Sequence, residues 1–360
     1  MARENVYNFS AGPSVMPAEV LERARAELMD YAGLGMSVME MSHRSRAFMD
    51  IFAAAREKLR ELMQVPDSHE ILFLQGGATL QFAAIPMNLI GSGSADYAVT
   101  GNFSGKAAKE AEKYGRVHLA CDSSATGHDR IPAQQELSLG PDAKYFYYCS
   151  NNTIYGTEWQ YLPETAAPLV CDMSSDILSM PVDLSRYGLI YAGAQKNMAP
   201  AGLTVVIVDK KLLGRELPIT PQVMSYRVLA ENDSMLNTPP CWCIYMLGLV
   251  LDWIKDRGGV GAMDELRRLR AGLLYDYLDN SRLFKAHALP GSRSFMNVTF
   301  STGSSELDSE FISGSAKRGF VNLKGHKIAG GMRASIYNAM PPEGVRALIE
   351  FMKEFELDHV

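Results

Sequence analysis

Residues 189–204 read LIYAGAQKNMAPAGLT, an apolar run, Leu189–Ala192, that gives way at Gly193 to a small-residue loop carrying one lysine, Lys196. A second apolar run, Pro168-Leu169-Val170-Cys171, ends in Asp172, 24 residues before that lysine. Apolar runs this short read as buried strands, because a buried helix needs ten or more residues. The texture continues outward through Ile71–Leu74, Tyr97–Val99, Tyr145–Cys149 and Leu203–Val208, with helical or loop stretches between them. Short buried strands alternating with helices predict an α/β fold on a mainly parallel sheet.

On either side the patterns change. NFSAGPSVMPAEVLERARAEL (8–28) reads as an extended arm, a Gly-Pro turn and a helix beginning near Pro17, since proline fits a first helical turn. Asp50–Met63 shows helical spacing, as do Trp242–Lys255 and Gly261–Leu278. The turn Arg257-Gly258-Gly259 between the last two is the expected domain boundary. It gives an arm over 1–15, a large domain over 16–257 and a small domain over 258–360. GGVGA (258–262) follows a helix and not a strand, so it reads as a turn and not as a nucleotide loop. Beyond it come a strand over Phe295–Phe300, a polar stretch and a helix from Pro342 to Glu356.

Bulk properties exclude several classes. A chain of 360 residues, 47% hydrophobic and 21% charged, has the composition of a water-soluble globular protein, and no run approaches the length of a membrane span. Residues 1–5 lead into no signal-peptide core, so a cytoplasmic location without membrane attachment is expected. The net charge of −6 argues against nucleic acid as a partner, yet local cations (His43, Arg44 and Arg46; Lys324, His326, Lys327 and Arg333) suit a small anionic substrate. Five cysteines form no CxxC pair and no zinc-spaced cluster, which predicts buried thiols and no metal.

Four features lie in an order that suits one cofactor. In LQGGATLQF (74–82) a strand breaks at Gly76-Gly77 and a helix starts near Ala78-Thr79, where free amides attract phosphate. The dipole adds about 0.3–1 kcal/mol, so hydroxyls such as Thr79 must supplement it. Phe103, in TGNFSGK, puts a ring near a strand end, where it could stack on a flat heterocycle or pack in the core. Asp172 could pair a protonated ring nitrogen or cap the next turn through Ser174 or Ser175. Asp176, past the strand end, reads as a turn residue. Gln195-Lys196 supplies the amine. A carboxylate that keeps a pyridine protonated and a lysine that condenses with an aldehyde are the needs of pyridoxal 5'-phosphate.

Over essentially its whole length the chain resembles the phosphoserine aminotransferase family, class-V members of the fold-type I pyridoxal-phosphate enzymes. NFSAGPS (8–14), SVMEMSHRS (37–45), YAGAQKNMAPAGLT (191–204), SMLNTPP (234–240) and KGHKIAGGMRASIYNAM (324–340) carry the resemblance. It implies a large domain with a mainly parallel seven-stranded sheet and a smaller C-terminal α+β domain. It implies that the Ala78 and Thr79 amides hold the cofactor phosphate, Phe103 stacks on its ring and Thr153 approaches its 3-hydroxyl. Asp172 then pairs the ring nitrogen, Gln195 helps hold the cofactor and Lys196 forms the Schiff base. Asn237 and Thr238 reach the phosphate from the second subunit of a homodimer whose active sites lie at the interface.

For the substrate, the resemblance implies that Arg333 takes the α-carboxylate, in line with the fork geometry of a guanidinium. The substrate phosphate meets His43 and Arg44 of the partner subunit with His326 and Lys327 of the same chain. The family usually has arginine where this chain has Lys327, which keeps the charge and loses the fork. The implied reaction is transamination between O-phospho-L-serine and 2-oxoglutarate in L-serine biosynthesis, with phosphohydroxythreonine, on the route to vitamin B6, as a further substrate. The rivals are another transaminase or a cysteine desulfurase of the same fold, for which Cys241 and Cys243 are the candidate thiols, and a non-catalytic binding module.

Overall fold

The computed structural model describes residue 3 and residues 6–360; of the expected arm over 1–15, residues 1, 2, 4 and 5 lie outside the described residues. Its centre is a seven-stranded sheet. In chain order the strands are β1 (His69–Leu74), β2 (Ser94–Val99), β3 (Arg116–Asp122), β4 (Ala143–Cys149), β5 (Leu169–Asp172), β6 (Tyr187–Gly193) and β7 (Thr204–Asp209). Their spatial order is β1-β7-β6-β5-β4-β2-β3. β7 runs antiparallel to both neighbours and every other pair is parallel. Six strands therefore deliver their carboxyl ends to one edge, the edge at which α/β sheets bind ligands.

Both faces of the sheet are covered, which is why its central strands read as continuous apolar runs. Ile71, Phe73, Phe146, Cys171 and Ile190 face a core shared with the helices Arg46–Met63 and Cys241–Asp256. Leu72, Leu74, Tyr147, Val170 and Leu189 face the opposite core, shared with the helices Gly77–Leu89 and Asn102–Ala111. The helix Arg46–Met63 starts four residues before the expected Asp50, because the Ser45 side chain caps it by accepting from the Phe48 amide at 3.3 Å.

A third core belongs to the C-terminal part. It joins a three-stranded sheet (Lys285–Ala286, Asn297–Ser301 and Met332–Ser335) to the helices Gly259–Asn280, Ser305–Lys317 and Pro342–His359. The helix Gly259–Asn280 serves two cores, with Val260 and Met263 in the first and Ala271, Leu274 and Leu278 in the third. Within GGVGA, Gly258 makes the turn, at φ +97°, and the helix runs from Gly259. The N-terminal arm crosses to this part as well: Tyr7–Asn8 pairs in parallel with Phe320–Val321, and Phe9 is buried in the third core.

Candidate active site

Lys196 sits at the carboxyl edge of the sheet, on the loop that returns from β6 into β7. That loop is closed by Ala194 N donating to Leu203 O at 2.9 Å. The lysine amine donates to Thr153 Oγ1 at 2.8 Å and to Ser175 Oγ at 2.7 Å, and these two hydroxyls lie 2.6 Å apart. The N-terminal arm clamps the lysine from the other side: Ser14 N donates to Gln195 O at 3.0 Å, and Ser14 Oγ donates to the Lys196 carbonyl. Gly12 lies beside the lysine stem, where a Cβ would stand in ordinary contact 3.4 Å from Lys196 Cγ, and its φ of +139° is what calls for glycine. Gln195 folds back over Gly193, where a Cβ would meet Gln195 Oε1 at 2.6 Å.

Asp172 ends β5 and is buried. Its Oδ1 accepts the Ser174 amide at 2.9 Å and its Oδ2 accepts the Tyr191 hydroxyl at 3.0 Å. The turn-capping bond thus engages one carboxylate oxygen, through Ser174, and the two sequence-based alternatives for this residue are compatible.

Asp176 lies in a turn as expected, yet it is 1% exposed, at the centre of the buried segment 170–179. Its Oδ1 accepts Ser150 Oγ at 2.6 Å, and its Oδ2 is buried without a partner among the described residues. Burial, and then the charge of Glu158, push the carboxyl from 3.8 up to about 7. The folded state therefore holds this proton more tightly than the unfolded chain. The stability this contributes is complete below about pH 4 and is lost as pH rises through about 7. Denaturant titrations should show wild type losing stability relative to Asp176→Asn between pH 4 and pH 8. Parallel curves for the two proteins would show that this carboxyl does not titrate there.

The turn after β1 builds an anion cradle. Gly76, at φ +91°, caps the helix Gly77–Leu89, and a Cβ there would fall 2.4 Å from Leu80 Cδ2, so glycine is required twice over. Among the described residues no side chain caps this helix, which leaves the first-turn amides, including Ala78 and Thr79, for an outside acceptor. At Gly77 a Cβ would meet no described atom within 4 Å, so the mouth of the cradle is open. Phe103, half-buried, lies one residue into the helix Asn102–Ala111, and its ring packs at the margin of the second core. Gln75 Nε2 donates to the Thr238 carbonyl at 2.8 Å. Asn237 lines a cavity of about 330 Å³ with Gly76, Leu80 and Gln81. Asn237 and Thr238 are thus brought beside the cradle of their own chain.

Arg333, on the strand Met332–Ser335, reaches over from the smaller unit. Its Nη1 donates to the Thr153 carbonyl at 3.3 Å, and its Nε is buried with no partner among the described residues. Thr153 therefore touches both the lysine amine and this guanidinium. His326 and Lys327 occupy a tight turn in which Gly330 N donates to His326 O at 2.8 Å and Ile328 N donates to His326 Nδ1 at 3.3 Å. A Cβ at Gly325 would collide with Gly330 O at 2.0 Å. Burial and the charges of Arg333, Lys327 and Lys106 hold His326 below its ordinary value. His43 and the exposed Arg44 stand just before the helix Arg46–Met63; His43 Nε2 is buried and unpartnered among the described residues.

Ser14, Ser175, Tyr191 and Lys106 were not singled out from sequence. Ser175 lies in a serine pair that was read only as a turn, and Tyr191 was counted as one more apolar strand residue. An uncapped helix start, a strand-end carboxylate and an amine beside two hydroxyls fit a phosphorylated pyridine aldehyde.

The family model for class-V aminotransferases matches residues 6–348. The chain is 52% identical over 356 residues to the phosphoserine aminotransferase of Laribacter hongkongensis, covering 98% of this chain and 99% of that one. Its structure is similar to phosphoserine aminotransferase from Bacillus circulans subsp. alkalophilus, with a TM-score of 0.97 and 45% identity over 99% of this chain and 100% of that chain. It is similar also to the PLP-bound phosphoserine aminotransferase from Trichomonas vaginalis, with a TM-score of 0.94 and 42% identity over 97% and 99% of the two chains.

Proposed function

Because the chain belongs to the class-V aminotransferase family, we propose that this site transfers the amino group of O-phospho-L-serine to 2-oxoglutarate, giving 3-phosphohydroxypyruvate and L-glutamate. The reaction serves L-serine biosynthesis. The cofactor is pyridoxal 5'-phosphate, which when bound supplies the electron sink that acidifies the substrate α-carbon. The observation that carries the reading is Thr153, which accepts from the Lys196 amine through its hydroxyl and from Arg333 through its carbonyl. A substrate whose carboxylate is gripped by Arg333 then has its α-carbon brought towards Lys196.

In this reading the Ala78 and Thr79 amides hold the cofactor phosphate; the resemblance assigns Asn237 and Thr238 of a second copy to that phosphate, whereas within one chain the same two residues already lie beside their own cradle. Phe103 covers the ring, Thr153 meets the 3-hydroxyl, Asp172 holds the ring nitrogen protonated and Gln195 steadies the cofactor. Lys196 Nζ would hold the cofactor through its aldehyde carbon and would serve as the base that moves the substrate α-proton, a transfer worth ~10²–10⁴ in rate. Arg333 grips the α-carboxylate in a fork, and its unpartnered Nε is a donor left for that purpose. His326 and Lys327 face the far end, where phosphate and the distal carboxylate bind in turn. His43 and Arg44 of a second copy complete that end in a homodimer with shared sites. Residues 16–257 form the cofactor-binding domain and 258–360 the smaller one, with the helix Gly259–Asn280 as a strut between them. A cytoplasmic location is part of this reading, as is 4-phosphohydroxy-L-threonine as a further substrate of the same anion site.

A desulfurase is disfavoured by its thiols. Cys241 Sγ donates to Pro239 O at 3.4 Å and Cys243 Sγ to Ala201 O at 3.5 Å, and burial pushes both thiols up, away from the reactive thiolate.

The test is a substrate panel with Arg44→Ala. Loss of a charge-assisted phosphate contact should lower kcat/KM for phosphoserine by about 10–100-fold while alanine, lacking a phosphate, changes little. Equal losses on both would remove Arg44 from the phosphate site. Mixing Arg44→Ala with Lys196→Ala chains should restore partial turnover through hybrid dimers with one intact shared site, and verified hybrids without activity would contradict sharing.

A further inference from the structure

The parallel pairing of β5 with β6 makes Asp172 and Tyr191 direct Cα partners, and the pairing of β4 with β5 sets Cys149 opposite the same aspartate. Tyr191 is fully buried among the residues of the second core, where a phenylalanine would pack as well. Its hydroxyl donates to Asp172 Oδ2 at 3.0 Å. The Tyr147 hydroxyl lies 2.7 Å from that of Tyr191, and their rings stack with centroids 6.5 Å apart. Since the Tyr191 proton is committed to the carboxylate, Tyr147 must be the donor in the second bond. The chain is polarised in one direction, from Tyr147 to Tyr191 to Asp172 Oδ2, with each bond strengthening the next.

A buried carboxylate needs donors on its oxygens to keep its charge. Asp172 has one on each, the Ser174 amide and the Tyr191 hydroxyl, and together they fix the carboxylate plane. Burial pushes both phenols well above their ordinary value, with the Asp172 charge adding to it, so both remain protonated donors.

We propose that Tyr191, backed by Tyr147, is a positioning residue for the cofactor, holding the Asp172 carboxylate in place and aimed at the ring nitrogen. It acts through Asp172, touches no reacting atom, and rests on the assignment of Asp172 to that nitrogen.

The experiment compares apoenzyme binding of pyridoxal 5'-phosphate with that of its 1-deaza analogue, in which the ring nitrogen is replaced by carbon, by equilibrium dialysis. In Tyr191→Phe the dissociation constant for pyridoxal phosphate should rise about tenfold, the scale of one hydrogen bond to a charged group. That for the deaza analogue should stay unchanged, because it makes no bond to Asp172. An equal rise for both ligands would show a packing role and overturn the proposal, as would no rise for either. If wild type binds the two ligands equally, the Asp172 assignment itself fails and the proposal with it. Should Tyr191→Phe not fold, Tyr147→Phe leaves Tyr191 in place and should weaken pyridoxal phosphate alone by about two- to threefold. Equal weakening of both ligands, or of neither, by that variant would likewise overturn it.

Discussion

Lys196→Ala should lose about 10⁴-fold or more in turnover and take up no borohydride-fixed cofactor at residue 196. The loss should be chemical and not structural. Truncation removes an amine that bonds two hydroxyls, and those hydroxyls, 2.6 Å apart, can satisfy each other. The backbone clamp survives, because Ser14 holds the carbonyls of Gln195 and Lys196 and no side-chain atom. The variant should therefore melt within a few degrees of wild type. Turnover at the wild-type rate would eliminate the lysine from the mechanism, whereas a collapsed melting temperature would show that its amine is part of the fold.

Glu158→Ala should be among the most destabilising single changes in the chain. Glu158 and Arg267 are 1% and 2% exposed, with Oε1 to Nη1 at 2.7 Å. Glu158 Oε2 also accepts the Phe295 amide at 2.8 Å. Arg267 is further held by Asp264 at 2.6 Å and lies 4.8 Å above the Phe295 ring. Removing the carboxylate leaves the buried guanidinium with Asp264 as its one remaining anion and the part-buried Phe295 amide without its acceptor, at a cost of about 3–5 kcal/mol, or on the order of 5 °C in melting temperature for a chain of this length. The pair links the strand Thr157–Glu158 to the helix Gly259–Asn280, so the loss should also loosen that helix against the strand. Replacing both partners by apolar residues, Glu158→Leu with Arg267→Met, should recover much of the stability. A double variant no better than Glu158→Ala alone would mean that the damage is packing and not stranded charge.

The sequence was most legible where one property suffices. Continuous apolar runs marked six of the seven central strands, because burial on both faces leaves no other pattern. The edge strand Arg116–Asp122 escaped, since Ala120 is its one buried residue and the others are exposed or half-buried, so no apolar run marks it. The helix Ser305–Lys317 escaped for a similar reason: it buries just Phe311 and Ser315, so its surface reads as polar loop. At the site, the glycine turn, the strand-end Asp172 and Lys196 were readable because each follows a strand boundary. Tyr191 was not, because its partner is chosen by the register of two strands joined through 14 intervening residues. Asp176 was legible as a turn residue but its burial was not, because a turn after a strand is normally wet and here the turn is folded inward.

The arm that clamps Lys196 gives the chain an order of assembly. On the ribosome Tyr7–Asn8 is made roughly 310 residues ahead of its partner Phe320–Val321, and can pair only once that partner exists. At ~5–20 residues per second that is a wait of roughly 16–64 s. During it the large sheet can form and Ser14 can reach the Gln195 and Lys196 carbonyls, but the arm that carries Ser14 is not yet anchored by its strand pairing. The arm behind the lysine is thus anchored late, only a dozen or so residues before the strand that carries Arg333 is made.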